Sequence, residues 1–191
     1  MKLLPDLMTF ADGTAVLTKN DWIERRKEII DILSREEYGY MPPAPRKVTG
    51  EAKREVDRCC SGHAYKERIN ITFDTPKGDF SFPVNFFVPV KEGKYPLIIL
   101  INFRPDAYDK YCPVEEIFDS GFAIAQIYYE DITTDDEDFN NGLAPLYERD
   151  KDTGWGKISM WAFSISRAID YFVEREEIDS ENIIVAGHSR L

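Results

Sequence analysis

The stretch Asn182-Ile183-Ile184-Val185-Ala186-Gly187-His188-Ser189-Arg190-Leu191 decides the fold. A short apolar, β-prone run leads straight into Gly-His-Ser. A serine set on a sharp strand-to-helix turn needs small neighbours, because the backbone there is strained and close-packed. Gly187 meets that need two residues before Ser189. Leu191 stands two residues after it, so the motif departs from a strict G-x-S-x-G. The competing reading is an ordinary loop serine after a strand. The setting favours the elbow: a buried strand carries the motif, and a long amphipathic pattern precedes that strand.

Working outward, Ile158, Trp161, Ile165, Ile169 and Phe172 recur at helical spacing and predict a helix over about 157–175. A long acidic loop spans roughly 130–154. Residues 122–128 and 96–101 are continuous apolar runs, as expected of strands buried on both faces. Between them a short helix at about 113–119 ends at Gly121. Further back, residues 65–74 and 80–88 alternate and pair across the turn at Pro76-Lys77-Gly78-Asp79. Residues 48–59 alternate weakly. These strands read as an antiparallel meander at a sheet edge, where Pro83 is tolerated. A first helix runs from about Asn20 to Tyr38, stopped by Gly39 and Pro42-Pro43.

The expected class is α/β, the N-terminal portion of an α/β-hydrolase fold, with antiparallel strands leading into a parallel sheet flanked by helices and right-handed crossovers. One domain, 1–191, is expected in three parts: a lead-in and helix (1–45), antiparallel strands (46–90), and a parallel α/β part ending at the elbow (91–191).

Composition limits the function. Hydrophobic residues make up 43% and aromatics 13%, enough for a packed core. Against 24 Lys+Arg stand 35 Asp+Glu, a formal net charge of −11. Such a surface repels phosphate backbones and anionic lipid, so neither nucleic acid nor membrane is an expected partner. No stretch approaches the roughly 20 apolar residues of a membrane span. Met1-Lys2-Leu3-Leu4-Pro5-Asp6 lacks the apolar region of a signal peptide, which predicts a cytoplasmic protein. A secreted protein whose leader had been removed would read the same. Cys59, Cys60 and Cys112 form neither a disulfide framework nor a zinc spacing and are expected as free thiols. Glu130-Asp131 and Asp135-Asp136-Glu137-Asp138 offer oxygen ligands but lack the spacing and glycine of a calcium loop. A solvated loop is expected there, and no metal or cofactor.

Ester chemistry at Ser189 would need an oxyanion hole. One donor is the Arg190 backbone N–H. The other belongs to the loop after the earlier apolar strand, Asn102-Phe103-Arg104-Pro105, with Phe103 or Arg104 as the candidate by position. An ordinary strand-to-helix loop is the equal alternative. The base and acid of this fold follow the serine in the chain. The two histidines, His63 and His188, precede it. Neither is expected to be the base, and without one a serine hydroxyl is a weak nucleophile. Trp155 lies in the loop before the 157–175 helix and is a candidate for sugar contact, against a plain core role. Trp161 reads as core.

Several spaced segments carry a family resemblance. They are Trp155-Gly-Lys-Ile-Ser-Met-Trp161-Ala-Phe-Ser-Ile-Ser-Arg167-Ala-Ile-Asp170-Tyr, then Ile183-Ile-Val-Ala-Gly-His-Ser-Arg190, and near the start Phe10-Ala-Asp-Gly13-Thr, Trp22-Ile-Glu-Arg25-Arg26-Lys-Glu-Ile29 and Glu37-Tyr38-Gly39-Tyr40-Met-Pro42. Together they resemble bacterial glucuronoyl esterases and their acetylxylan-esterase-like relatives over nearly the whole chain. The resemblance implies a serine carboxylic-ester hydrolase acting on glucuronoyl or acetyl esters of carbohydrate. It implies Ser189 as the nucleophile and Arg190 as support for the oxyanion. In that family Gly-Lys follows the arginine, and the lysine helps hold the sugar; the acid and histidine come later still. With those residues absent, the 191-residue chain is expected to be inactive or nearly so. The alternative is a non-catalytic binding or interaction domain derived from the same fold. An exposed sheet edge would then find a partner, with a second copy of the chain the first candidate.

Overall fold

The computed structural model describes residues 5–106 and 112–191. Backbone contacts divide the chain into two units, Met1–Pro42 with Arg149–Gly156, and Pro43–Glu148 with Lys157–Leu191.

In the first unit, α1 (Lys19–Leu33) opens on Thr18. The Thr18 hydroxyl accepts from the Asp21 N–H at 3.1 Å, and the Asp21 carboxylate accepts from the Thr18 N–H at 2.9 Å. This reciprocal cap satisfies two donors that a helix start leaves open. A π-helical turn, Ser34–Tyr38, follows, so the helix expected to reach Tyr38 does so with a change of winding. Gly39 then turns the chain at φ +76°, where a Cβ would lie 2.4 Å from the Gly154 carbonyl oxygen. Only glycine fits there. Arg25, 4% exposed, holds the lead-in by donating to the carbonyls of Asp6 and Leu7 at 3.1 and 3.4 Å.

The second unit is built on a sheet of six strands: β1 (Val48–Cys59), β2 (Ala64–Thr75), β3 (Gly78–Pro89), β4 (Tyr95–Asn102), β5 (Ala123–Tyr128) and β6 (Ile178–Ala186). Their spatial order is β1-β2-β3-β5-β4-β6. The first three pair antiparallel, as the alternation predicts. β4 pairs parallel with both β5 and β6. β5 joins the two halves by pairing antiparallel with β3, over Asn85–Phe87 only. Pro83 lies outside that short pairing, where its missing N–H breaks no bond to β5.

Two helices cover this sheet. From α3 (Lys157–Phe172), Phe172 meets Phe86 at 4.8 Å and Phe163 meets Phe73 at 5.7 Å between ring centroids. From α2 (Val114–Asp119), Phe118 meets Phe87 at 6.4 Å. Cys59 and Cys112 are buried and Cys60 half-buried. Among the described residues no helix is long and apolar enough to cross a membrane.

Two strands differ from expectation. β5 is buried along nearly its whole length, as the apolar run predicts. β4 is not: Leu97, Ile99 and Ile101 are buried, while Ile98 and Leu100 are half-buried. β6 reads as a buried strand, yet Ile184 and Val185 are 45% and 51% exposed. The reason is lateral position. β6 is the outer strand beyond β4 and pairs on one side only. Apolar composition does not say whether neighbours exist to cover a strand.

A charged cluster ties the β1–β2 edge to the segment after α3. Arg175 donates to Glu67 at 2.9 Å and to the Tyr171 hydroxyl at 3.1 Å, and it pairs with Glu177. Arg54 reaches the other Glu67 oxygen at 3.2 Å. Burial alone would push the Glu177 carboxyl up; the Arg175 guanidinium, a backbone hydrogen bond and the Tyr65 hydroxyl together outweigh it and hold the group below its ordinary value of 4.5.

Glu177 therefore contributes stability above pH 4.5, and that contribution is lost as pH falls through its folded-state pKa. The unfolding free energy from urea titrations is expected to drop between pH 6 and pH 3, and to drop less steeply in Glu177→Gln. At pH 7, Phe172→Ala is expected to lower the same quantity by about 3–5 kcal/mol, because it empties a fully buried aromatic site.

Candidate functional site

β6 ends at Ala186, and a tight turn follows over His188–Leu191. Ser189 has φ +60°, a left-handed backbone that side chains other than glycine rarely adopt. Holding such a residue costs of order 1–3 kcal/mol and persists only where the surroundings over-determine it. The turn closes with the Leu191 N–H donating to the His188 carbonyl at 3.2 Å. A Cβ on Gly187 would stand 2.2 Å from the Leu191 carbonyl oxygen, so backbone crowding explains the glycine. Ser189 itself is exposed.

Beside this turn lies the end of β4. Asn102, Phe103, Arg104, His188, Ser189 and Arg190 line one open cleft of about 620 Å³. The structure thus brings together four of the residues that sequence reasoning singled out: Ser189, Arg190, Phe103 and Arg104. Trp155 is not among the lining residues. It belongs to the first unit, is 2% exposed, and accepts a hydrogen bond at its carbonyl from Arg149 Nε at 3.2 Å.

The loop after β4 is held from below by Gln126. Its Nε2 donates to the carbonyls of Arg104 and Asp106 at 2.9 and 3.1 Å. Asn102 is 6% exposed, and its Nδ2 has no hydrogen-bond partner among the described residues.

Arg190 is fixed on two sides. It pairs with Asp135, and its guanidinium carbon lies 5.0 Å from the Phe103 ring centroid. Phe103 meets Tyr129 edge-on at 5.4 Å, and Tyr129 meets Trp161 edge-on at 5.5 Å. The Tyr129 hydroxyl donates to Glu130 at 2.8 Å, and the Tyr128 hydroxyl donates to the other oxygen of the same carboxylate. Burial, followed by donation to Glu130 and by the negative charge of that carboxylate, pushes the Tyr129 hydroxyl up to about 12. The same causes raise Tyr128.

The acidic run is solvated as expected, with residues 135–138 all exposed, and the loop is also tied to α3. Lys157 Nζ donates to the Thr133 hydroxyl at 2.8 Å and to the Asp138 carbonyl at 2.6 Å, and stands 3.6 Å from the Asp136 carboxylate. Trp161 Nε1 donates to the Thr133 carbonyl at 3.1 Å. The ammonium therefore occupies the middle of the loop. No group of three metal-ligating side chains occurs among the described residues.

Neither histidine hydrogen-bonds to Ser189 among the described residues. His63 lines a separate cavity of about 430 Å³ with Tyr95, Phe118 and Asp119, and His188 lies exposed at the cleft. Sequence reasoning missed Gln126, Asp135 and the Tyr129 contacts. A polar Gln126 inside an apolar strand is itself a signal, since buried amides are held by partners. Asp135 carried no such signal, because its partner lies 55 positions away.

No protein-family model matches the chain. Among curated proteins, the carbohydrate esterase MZ0003, from an unknown prokaryotic organism, is 26% identical over 235 residues, which cover 98% of this chain and 53% of that protein. The 4-O-methyl-glucuronoyl methylesterase of Podospora anserina is 28% identical over 192 residues, covering 98% of this chain and 36% of that enzyme. The chain thus spans about half, or less, of the length of these relatives. Among solved structures, a glucuronoyl esterase from Solibacter usitatus superposes with a TM-score of 0.86 at 24% identity, over 100% of this chain and 58% of that one. The chain resembles the glucuronoyl esterases in sequence, and over the 58% of the Solibacter usitatus enzyme that it covers it shares that enzyme's α/β fold, here a six-stranded mixed sheet flanked by helices.

The Tyr129 environment can be checked by titration. Glu130→Gln removes the charged acceptor from both hydroxyls, and the tyrosinate absorbance near 295 nm is expected to rise at lower pH than in the parent chain. An unchanged titration would mean that burial alone sets these hydroxyls.

Proposed function

We propose that the chain carries the nucleophile half of a serine carboxylic-ester hydrolase acting on glucuronoyl or acetyl esters of carbohydrate. The observation that carries this reading is the backbone of Ser189. A serine at φ +60° follows a parallel strand and faces the loop of the neighbouring parallel strand across one cleft. That is the geometry an acyl-transfer nucleophile needs, with Oγ presented at the top of the sheet. The likeness to carbohydrate esterases supports the substrate class.

In this reading Ser189 Oγ attacks the ester carbonyl and gives up its proton to solvent, negative charge develops on the carbonyl oxygen, and the adduct collapses as the ester C–O bond breaks and the alcohol leaves with a proton. The Arg190 N–H and guanidinium answer that charge from one side of the cleft, and the backbone N–H of Phe103 or Arg104 answers it from the other. Trp155, 2% exposed, has no part in this reading and is a core residue. Among the described residues no base hydrogen-bonds to the Ser189 hydroxyl, so Oγ is a weak nucleophile at neutral pH and turnover by these residues alone is slow. The exposed Ile184 and Val185 of β6 leave apolar surface for a further element or a second copy to cover.

The experiment is hydrolysis of p-nitrophenyl acetate and of a glucuronic acid benzyl ester by the purified chain. A slow rate is expected, on the order of a hundredfold or more below that of an enzyme with a complete acid–base pair. The residual rate should fall further in Ser189→Ala. A rate indifferent to Ser189→Ala would overturn the assignment of the nucleophile.

A further inference from the structure

The acidic loop between β5 and α3 holds one feature that ester chemistry at Ser189 has not used. We infer that Asp135 is a positioning residue for Arg190, and that the loop carrying it is a rigid strap that aims the guanidinium into the cleft. This deepens the proposed function and rests on it.

The argument starts from what an arginine beside a nucleophile needs. Its side chain has four rotatable bonds and, left in water, would sample many rotamers. A guanidinium that moves during the reaction loses most of its electrostatic value, because the benefit comes from charge already in place. The Arg190 side chain is half exposed, so burial does not restrain it. Two contacts do. One face lies on the Phe103 ring, 5.0 Å from the centroid. Nη2 pairs with Asp135 Oδ2. Face and edge together fix both the plane and the rotation of the group. A guanidinium has five N–H donors, so one edge on Asp135 leaves others for an oxygen that is gaining charge.

Asp135 can hold an arginine only if it is held itself, and the loop around it is tied down independently of Arg190. On one side, the Thr133 carbonyl accepts from Trp161 Nε1, and the Thr133 hydroxyl accepts from Lys157. The Thr134 N–H donates to Asn141 Oδ1 at 3.1 Å. On the other side, Asp136 accepts from the Thr134 hydroxyl at 2.8 Å and from the Asp138 N–H at 3.0 Å. The Leu143 N–H closes the loop on the Ile132 carbonyl at 2.8 Å. Gly142, at φ +54°, permits that closure, since a Cβ there would stand 2.0 Å from the Ile132 oxygen. Asp135 thus sits between two anchored neighbours, with its side chain 28% exposed. Phe103 is also braced, edge-on against Tyr129, which rests on Trp161. Both restraints on Arg190 therefore converge on Trp161, in the first turns of α3.

The test uses Asp135→Asn and Asp135→Glu in the full chain, with two independent readouts. Phenylglyoxal labelling of Arg190, followed by peptide mass spectrometry, reports the restraint without requiring any ester turnover. Labelling is expected to speed up about tenfold in Asp135→Asn and to return to within about twofold of the parent in Asp135→Glu, as a carboxylate–guanidinium pair predicts. Thermal unfolding of the variants checks that the loop anchors survive. Unchanged labelling in Asp135→Asn overturns the inference. In the ester assay, kcat is expected to fall between about tenfold and a hundredfold in Asp135→Asn with KM within about twofold, the pattern of a misplaced group. Faster labelling with unaltered kcat would overturn the catalytic value of the restraint. A parent chain with no Ser189-dependent hydrolysis would count against the proposed function alone, and labelling would still decide whether Asp135 holds Arg190.

Discussion

Everything at the candidate site depends on one pairing, that of β6 with β4. The two strands run parallel, with Leu97 opposite Ile183, Ile98 opposite Ile184, Ile99 opposite Val185 and Leu100 opposite Ala186. This register delivers Gly187 to Ser189 beside Ile101 to Arg104, and so makes one cleft from two loops far apart in sequence. In a period-two structure a slip of one residue turns every side chain to the other face. The crowded Gly187 backbone and the left-handed Ser189 would then face elsewhere. The register is secured from β4's other side, where β5 pairs over Leu97 to Asn102 and is itself buried.

The surroundings of the turn divide the work. Beneath the cleft, Gln126 holds the loop after β4 through two backbone carbonyls. Above it, the acidic loop is drawn around Lys157, whose ammonium bonds to one side chain and one carbonyl and faces the Asp136 carboxylate. A net charge of −11 makes that arrangement understandable. Carboxylates crowded on a loop repel one another, and a part-buried cation in their midst lets the loop close without scattering its charges. Arg190 then pairs with Asp135 of the same loop and lies on Phe103. The tyrosine pair sharing Glu130 packs behind.

The same sheet is unevenly covered. The side that bears α3 is filled with aromatic contacts from Phe73 to Phe172, while β6 keeps Ile184 and Val185 half exposed. In both alignments nearly all of this chain is matched, against about half or less of the relatives' length.

The sequence by itself determined the elements and their kind. Alternation at Ile69, Ile71 and Phe73, helical spacing from Ile158 to Phe172, and apolar runs at 96–101 and 122–128 are local signals, set by which face of each element meets the core. The strand-to-turn chemistry at Gly187-His188-Ser189 was legible for the same reason, since the need for glycine arises within a few residues. Lateral order was not legible. The apolar run before Gly187 carries no mark of being an outer strand, because exposure depends on neighbours rather than on composition. Nor was the role of the acidic run. Asp135 reads as one of four consecutive acids, and only the tertiary structure, by closing the loop on Lys157 and Trp161, sets that one carboxylate against Arg190.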